Sequence, residues 1–222
     1  MNVRIQSGFT LWELLVAVFV AGILLGIGVP SFREFQRNNG MVTAANDLVT
    51  GILMARTEAV KRQVPVTLCA SPNPIAANPT CSPTGAGSNG GFIVWVDENG
   101  NTDGNGVPIL TDGSDGNAVV DGGETILLQR DAPGGVINVW GDAGYIAYGP
   151  NGFARIATGL GFGSLTRVLY CDERGNRATT GGSSARVVRV DPTGRGQVLR
   201  EIADVTAAIV IINGAGVATT CP

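Results

Sequence analysis

The first thirty residues carry the clearest hydrophobic pattern in the chain. Residues 1–8 form a short polar segment with one charge at Arg4, and residues 9–29 are free of charge except for Glu13. A helix rises about 1.5 Å per residue, so residues 9–29 would span about 31 Å, close to the hydrocarbon core of a bilayer. The pattern predicts a transmembrane helix there. A carboxylate inside it costs roughly 2.5–3.5 kcal/mol on insertion scales, so Glu13 is predicted to be functional.

A second helical pattern follows Pro30. Apolar residues recur at three- and four-residue spacing and form one stripe, which consists of Val42, Ala45, Leu48, Val49, Ile52, Leu53 and Val60. Pro65 biases the residue before it away from helical geometry, so the helix should end near Arg62. Residues 9–62 are therefore predicted to form one long helix in two parts, of which the second packs its stripe under a sheet.

The remaining residues, 63–222, have the pattern of a β-rich head. Short apolar runs alternate with clusters of Gly, Asn, Asp and Pro, as in strands joined by turns. The candidate runs are 64–69, 92–96, 125–129, 136–139, 146–148, 168–171 and 187–190, with a late, very apolar run at 207–212. Residues 97–123 and 175–185 are rich in turn formers and are predicted to be exposed loops. The predicted fold class is α+β, with a long N-terminal helix packed on an antiparallel sheet.

Charge is distributed unevenly along the chain. The net charge is −3, so no overall field favours nucleic acid. Residues 1–166 have a net charge of −5, whereas residues 167–200 contain seven arginines against three acids. The chain has no histidine, which removes the common catalytic triad, and no base is spaced to activate Ser183 or Ser184. The sequence predicts a structural or binding protein rather than an enzyme.

Four cysteines are present, at positions 69, 81, 171 and 221. Their spacing fits no zinc motif, and no imidazole is available as a ligand. In an exported chain disulfides are expected, and four cysteines allow three pairings. The favoured one joins Cys69 to Cys81 across a short loop and Cys171 to Cys221, which would pin the C-terminal tail.

The N-terminal segment resembles the class III signal of type IV pilins and of the pseudopilins of type II secretion. The matching residues are Gly8-Phe9-Thr10-Leu11-Trp12-Glu13-Leu14-Leu15-Val16. The resemblance implies that a prepilin peptidase removes the leader, residues 1–8, between Gly8 and Phe9 and that Phe9 is then N-methylated. Glu13 would neutralise the freed amine of another subunit in a filament. Pro30 falls where the family has a helix-breaking proline.

The head is similar to the GspH/FimT/FimU group of minor pilins and pseudopilins. Five motifs occur in the order of that group: 66–69, 91–99, 123–127, 148–152, and Cys171-Asp172-Glu173-Arg174-Gly175 with a later Thr193-Gly194-Arg195. The similarity covers residues 1–200 and implies the type IV pilin fold. Residues 201–222 lie outside the pattern.

The resemblance implies a minor pilin of a type IV pilus that supports assembly in the filament or in its tip or priming complex. It implies a single-pass protein of the bacterial inner membrane, with its head in the periplasm, that later enters the filament. The implied partners are major and minor pilins, the prepilin peptidase and the inner-membrane assembly platform. The alternatives are a GspH-like type II secretion pseudopilin and a FimT-like DNA-uptake receptor.

Two groups of residues in the head are candidate binding sites. In DNA-receptor members of the group a Gly-Arg-x-Arg motif contacts DNA, and here Gly194 and Arg195 match while Gln197 replaces the second arginine. The candidate DNA-binding residues are Arg189, Arg195 and Arg200; the alternative is a solvated face paired with nearby acids. The candidate calcium ligands are Asp97, Asn99, Asn101 and Asp103, which alternate as in an EF-hand loop, although a solvated turn explains the same pattern. No cofactor other than calcium is indicated.

Overall fold

The computed structural model describes residues 10–82, 91–97, 120, 124–134, 137–155, 165–214 and 221. The chain divides into two compact units, residues 1–39 and residues 40–222. Helix α1, Leu11–Arg62, begins in the first unit and ends in the second.

Helix α1 is continuous. Pro30 lies inside it, so the expected division into two parts is not present in the secondary structure. A proline removes one i→i−4 hydrogen bond, yet the helix is assigned on both sides of it. The helix ends at Arg62, where Gln63 takes a left-handed φ of 62° and its amide donates to the Ala59 carbonyl oxygen at 2.9 Å. This is the conformation that commonly ends a helix, here adopted by a residue other than glycine.

In the described part of the chain, eleven strands form two antiparallel sheets and one small hairpin. In chain order they are β1 Val66–Ala70, β2 Phe92–Val96, β3 Ile126–Arg130, β4 Asn138–Gly141, β5 Tyr145–Tyr148, β6 Ala154–Arg155, β7 Arg167–Cys171, β8 Ala178–Thr179, β9 Gly182–Ser183, β10 Arg186–Val190 and β11 Gly196–Leu199. The first sheet has the order β3-β2-β1-β5-β6 and the second the order β11-β10-β7-β4, while β8 pairs with β9.

The main core of the second unit lies between α1 and one face of each sheet. From α1 it takes Ala45, Leu48, Ile52, Ala55 and Ala59. Alternate positions of the strands point inward, as the period-two pattern requires: Val66, Leu68, Val94, Ile146, Val168, Tyr170 and Val188. A Cβ on Gly51 would stand 2.6 Å from Phe92 Cε2, so a glycine is needed where the helix approaches the sheet. The α+β class, with the N-terminal helix packed on antiparallel strands, is confirmed.

The run 207–212 belongs to a helix, α2, Ile202–Gly214, and not to a further strand. A short apolar run is compatible with either element, and here the buried positions Val205, Ala208 and Ile212 have helical spacing. They pack against Leu169, Cys171, Ala185 and Val187 on the second sheet, on the face opposite to α1. The tail therefore adds a second, smaller core.

Residues 175–185 are also more ordered than the loop that the sequence predicts. They contain the β8–β9 hairpin, and Ser183 and Ser184 are buried. The Ser184 hydroxyl donates to the Gly175 carbonyl oxygen at 2.5 Å, and the Ser183 hydroxyl donates to Asn176 Oδ1 at 2.7 Å. Turn-forming residues are polar, but these hydrogen bonds allow them to be buried. Of the predicted loop 97–123, only Asp97 and Val120 lie in the described part of the chain.

Candidate assembly site

The start of α1 forms a capping box between Thr10 and Glu13. Glu13 Oε2 accepts hydrogen bonds from the Thr10 amide and the Thr10 hydroxyl, each at 2.9 Å. In return the Glu13 amide donates to Thr10 Oγ1 at 3.3 Å. This reciprocal pattern satisfies donors that the first turn of a helix leaves without partners. The spacing Thr-x-x-Glu is the sequence signature of such a box, whereas Glu13 was predicted to be functional from its depth in the membrane and from the resemblance to pilins.

Glu13 lies on a helix whose surroundings are otherwise apolar and open. The side chains of Leu11, Trp12 and Leu14 are 82%, 70% and 62% exposed, and the exposure continues to Val29. Within the described residues, α1 is the one helix that is long and apolar enough to cross a membrane. The carboxylate therefore has donors from its own chain, both on Thr10, in a segment whose other side chains are apolar apart from the Trp12 indole. The predicted processing residues, Gly8 and Phe9, lie outside the described residues, and Pro30, predicted with Glu13 as an assembly residue, lies inside α1.

Both disulfides join the cysteines in the pairing that the sequence favoured. Cys69 bonds to Cys81 and closes a loop beside β1, and Cys171, at the end of β7, bonds to Cys221. The second bond ties the segment after α2 to the sheet that α2 covers. In the chain-entropy model a crosslink over 50 residues, the separation of Cys171 and Cys221, stabilises by about 4 kcal/mol.

The turn between β10 and β11 presents Arg195. Asp191 Oδ1 accepts hydrogen bonds from the Thr193 hydroxyl at 2.6 Å, the Thr193 amide at 2.9 Å and the Arg195 amide at 3.1 Å. The Thr193 hydroxyl and then the Arg195 amide lower the pKa of Asp191. Gly194 has a φ of 79°, and its carbonyl oxygen accepts from the Tyr148 hydroxyl at 2.7 Å. The exposed arginine therefore stands on a turn with a defined conformation.

The predicted DNA-binding arginines do not form one cluster. Arg189 lies near the turn, opposite Gln197 on one side and Arg167 on the other. Arg200 follows the other end of β11, with its guanidinium against Gly181 and Gly182. At about 3.3 Å per residue, the backbone positions of Arg195 and Arg200 are roughly 16 Å apart. Arg167 was missed because strand register, which places it beside Arg189, cannot be read from one sequence.

Asp97 is buried rather than solvated. It accepts a hydrogen bond from the Thr67 hydroxyl at 2.6 Å, and its amide donates to the Pro65 carbonyl oxygen at 3.0 Å. Asn99, Asn101 and Asp103 lie outside the described residues. In the part of the chain that is described, no group of three or more His, Cys, Asp or Glu residues is placed to hold a metal ion. The structure thus gives Asp97 a role in joining β1 to the end of β2.

Comparison with protein families identifies the chain. The family described as type II transport protein GspH matches residues 44–194, and the prokaryotic N-terminal methylation motif matches residues 3–29. The first match covers more than half of the 222 residues. The chain belongs to the GspH family. As a GspH-family protein with a methylation motif, it has the role of a minor pilin or pseudopilin, and this role is structural and not enzymatic. Such a protein is anchored by its N-terminal helix and assembles with other pilins.

Two solved structures are similar to this GspH-family chain. Both are crystal structures of the type IV minor pilin FimU of Pseudomonas aeruginosa, in space groups P21 and P65. The first has 17% sequence identity and a TM-score of 0.39 and covers 74% of this chain and 92% of FimU. The second has 16% identity and a TM-score of 0.35, with coverage of 71% and 90%. Similarity at this level does not decide the function. A search of the curated proteins found no match.

Proposed function

We propose that this GspH-family chain is a minor pilin of a type IV pilus, incorporated in the filament or in its tip or priming complex to support assembly. Its leader, residues 1–8, is removed after Gly8 and Phe9 is methylated. The helix then holds the protein in the bacterial inner membrane with the head, residues 63–222, in the periplasm, until the assembly platform moves it into the filament.

The observation that carries the proposal is the capped Glu13 on an exposed apolar helix. Before assembly the Thr10 amide and hydroxyl supply its donors, which lowers the cost of a carboxylate in lipid. In the filament the freed amine of Phe9 on another subunit supplies a full positive charge. Exchanging neutral donors for a cation strengthens the hydrogen bonds to the carboxylate. Assembly is therefore favoured, and the pairing sets the axial register of the helices.

The test replaces Glu13 in the native host. We expect Glu13→Ala to be inserted in the membrane and processed but to be nearly absent from sheared filaments, because the amine of the neighbour has no carboxylate to meet. Asp204→Asn, which removes an acid from the head on α2, is the matched control and should be processed and incorporated normally. Normal incorporation of Glu13→Ala into filaments contradicts the proposal.

A type II secretion pseudopilin is favoured by one observation, the family description that matches residues 44–194. Deleting the gene in the native host separates the two roles. Loss of surface pili with secretion intact supports the pilus, and loss of secretion with pili intact supports the pseudopilus. The Glu13 experiment applies to both, since both filaments would use the same contact.

A DNA-uptake receptor is favoured by a different observation, the cross-strand row Arg167, Arg189 and Gln197 near Arg195. Like charges opposite each other are destabilising in a sheet, and a phosphate backbone would offset them. Binding of duplex DNA to the detergent-solubilised chain should then weaken steeply with salt. Arg189→Gln should weaken it, whereas Arg130→Gln, on the other sheet, should not. Absence of binding at low salt excludes this role.

A further inference from the structure

A groove of about 280 Å³ opens beside α1 in the second unit, next to the segment that follows β3. Its apolar walls include Phe92 and Ile137, and its polar side chains are those of Thr43, Asp47, Arg130, Asp131 and Tyr170. A single water needs roughly 10–15 Å³ on such a measure. The groove therefore has room for a long side chain.

Two polar groups in this groove are held without partners. Tyr170 is 2% exposed, and within the described residues its hydroxyl makes no hydrogen bond. Asp47, half-buried on α1, makes no hydrogen bond or ion pair in the same part of the chain. Both residues line the same groove, and burial first and then the charge of Asp47 raise the pKa of Tyr170. Buried polar groups are normally paired, so this arrangement indicates a ligand.

The chemistry of the groove selects the ligand. A cation with several N–H donors can bond to the Asp47 carboxylate and to the Tyr170 oxygen at the same time. The apolar walls suit an aliphatic stem, and the rings of Phe92 and Tyr170 favour a nearby positive charge. We propose that this groove binds the side chain of a lysine or arginine projecting from a neighbouring polypeptide. The proposal rests on the proposed function only in that assembly supplies the neighbour.

The chain itself offers one competing occupant. Arg130 lies at the groove, is exposed, and makes no ion pair within the described residues. Its long side chain could fold onto Asp47 in solution and fill the site. The experiment must therefore distinguish an external cation from Arg130 and from water alone.

The number of tyrosines makes a direct test practical. The chain contains three, so the full-length protein labelled with 3-fluorotyrosine in detergent micelles should give three ¹⁹F resonances, and Tyr170→Phe assigns the one from the groove. We expect N-acetyl-lysine methylamide to shift that resonance saturably at constant ionic strength. N-acetyl-norleucine methylamide, which has the stem without the amine, should not. Asp47→Asn should raise the dissociation constant about tenfold or more, since a hydrogen bond to a charged group is lost.

Three results would overturn the inference: no saturable shift with the lysine probe, an equal shift with the norleucine probe, or an unchanged dissociation constant in Asp47→Asn. Arg130→Ala tests the competing occupant. The Tyr170 resonance is compared in Arg130→Ala and in Asp47→Asn without any probe. If the two substitutions shift it equally, Arg130 occupies the groove and the inference is wrong. Asp204→Asn, on α2, controls for loss of one acid and should leave the titration unchanged.

A second readout separates this inference from the proposed function. In the native host, Asp47→Asn should be processed normally and should reach the membrane, but less of it should enter filaments than of Asp204→Asn. If Glu13→Ala fails to assemble while Asp47→Asn assembles fully, the pilin role stands and the groove has no part in it. If both assemble fully, both proposals fail.

Discussion

At the scale of single residues, Thr10 is as important to the start of α1 as Glu13. Thr10→Ala removes the hydroxyl that caps the first turn and one of the two donors to the carboxylate. We expect the isolated membrane helix to lose about 1 kcal/mol of stability and filament incorporation to fall. Thr10→Ser retains the hydroxyl and should behave like the parent chain. Equal incorporation of Thr10→Ala and Thr10→Ser would show that the cap has no role in assembly.

Asp191 provides a prediction for the pH dependence of stability. Its folded-state pKa is lowered, chiefly by the Thr193 hydroxyl, so its contribution to stability is present above the unfolded pKa of about 3.9. That contribution is lost as the pH falls from about 4 through the folded value. Asp191→Asn should melt lower than the parent near pH 7, and the difference should shrink below pH 4. Circular dichroism melts across this range provide the measurement, and a constant difference would contradict the assignment.

At the scale of elements, the β10–β11 turn depends on a glycine. A Cβ on Gly194 would stand 2.5 Å from Tyr148 Cε1, and its φ of 79° is unfavourable for other residues. We expect Gly194→Ala to destabilise the head by about 2–4 kcal/mol, through backbone strain together with overpacking. Gly134→Ala is the matched control, because a Cβ there has no neighbour within 4 Å. Equal melting temperatures for the two variants would show that the turn adjusts without cost.

Helix α2 shows where sequence patterns stop being informative. The strands at 92–96 and 168–171 were predicted closely, because turn residues bound an apolar run of the length of a strand. The run 207–212 has the same appearance. Its helical spacing involves Val205, Ala208 and Ile212, and Val205 lies before the run, so the spacing is seen only when the element is followed from Ile202. The β8–β9 hairpin was missed because its buried serines are polar, and their partners, Gly175 and Asn176, are known only from the structure.

The same helix allows a paired test of its packing. Ile212 is fully buried against the second sheet, whereas Ile211 is 38% exposed. Ile212→Ala should cost about 2–5 kcal/mol, through lost burial and the cavity that remains. Ile211→Ala should cost clearly less. Chemical denaturation of the two variants in the same detergent measures the difference. Similar losses would mean that α2 is not packed through the Val205–Ala208–Ile212 stripe.

At the scale of the whole molecule, the two units suit different surroundings: the first has an exposed apolar helix, and the second has a buried core of its own. Apart from Glu13, the residues of α1 from Leu11 to Val29 are apolar and exposed, so their exposure to water is unfavourable. The second unit has its own core, which begins at Met41. The motifs of the N-terminal segment could therefore be recognised without the head. The groove at Asp47 could not be predicted, since it needs residues from α1, β2, β3 and β7 brought together by the fold.

This division predicts how the chain responds to truncation. A chain starting at Arg37 lacks the apolar segment and keeps a turn of helix before Met41, so we expect it to be soluble without detergent and to unfold cooperatively with both disulfides formed. A chain starting at Asn46 also lacks Met41 and Ala45, both fully buried, and should be less stable by about 2–5 kcal/mol, the cost of losing a buried methionine. Denaturation followed by tryptophan fluorescence compares them, since Trp95 is fully buried. If the longer chain failed to fold, the second unit would need residues before Arg37 for its stability.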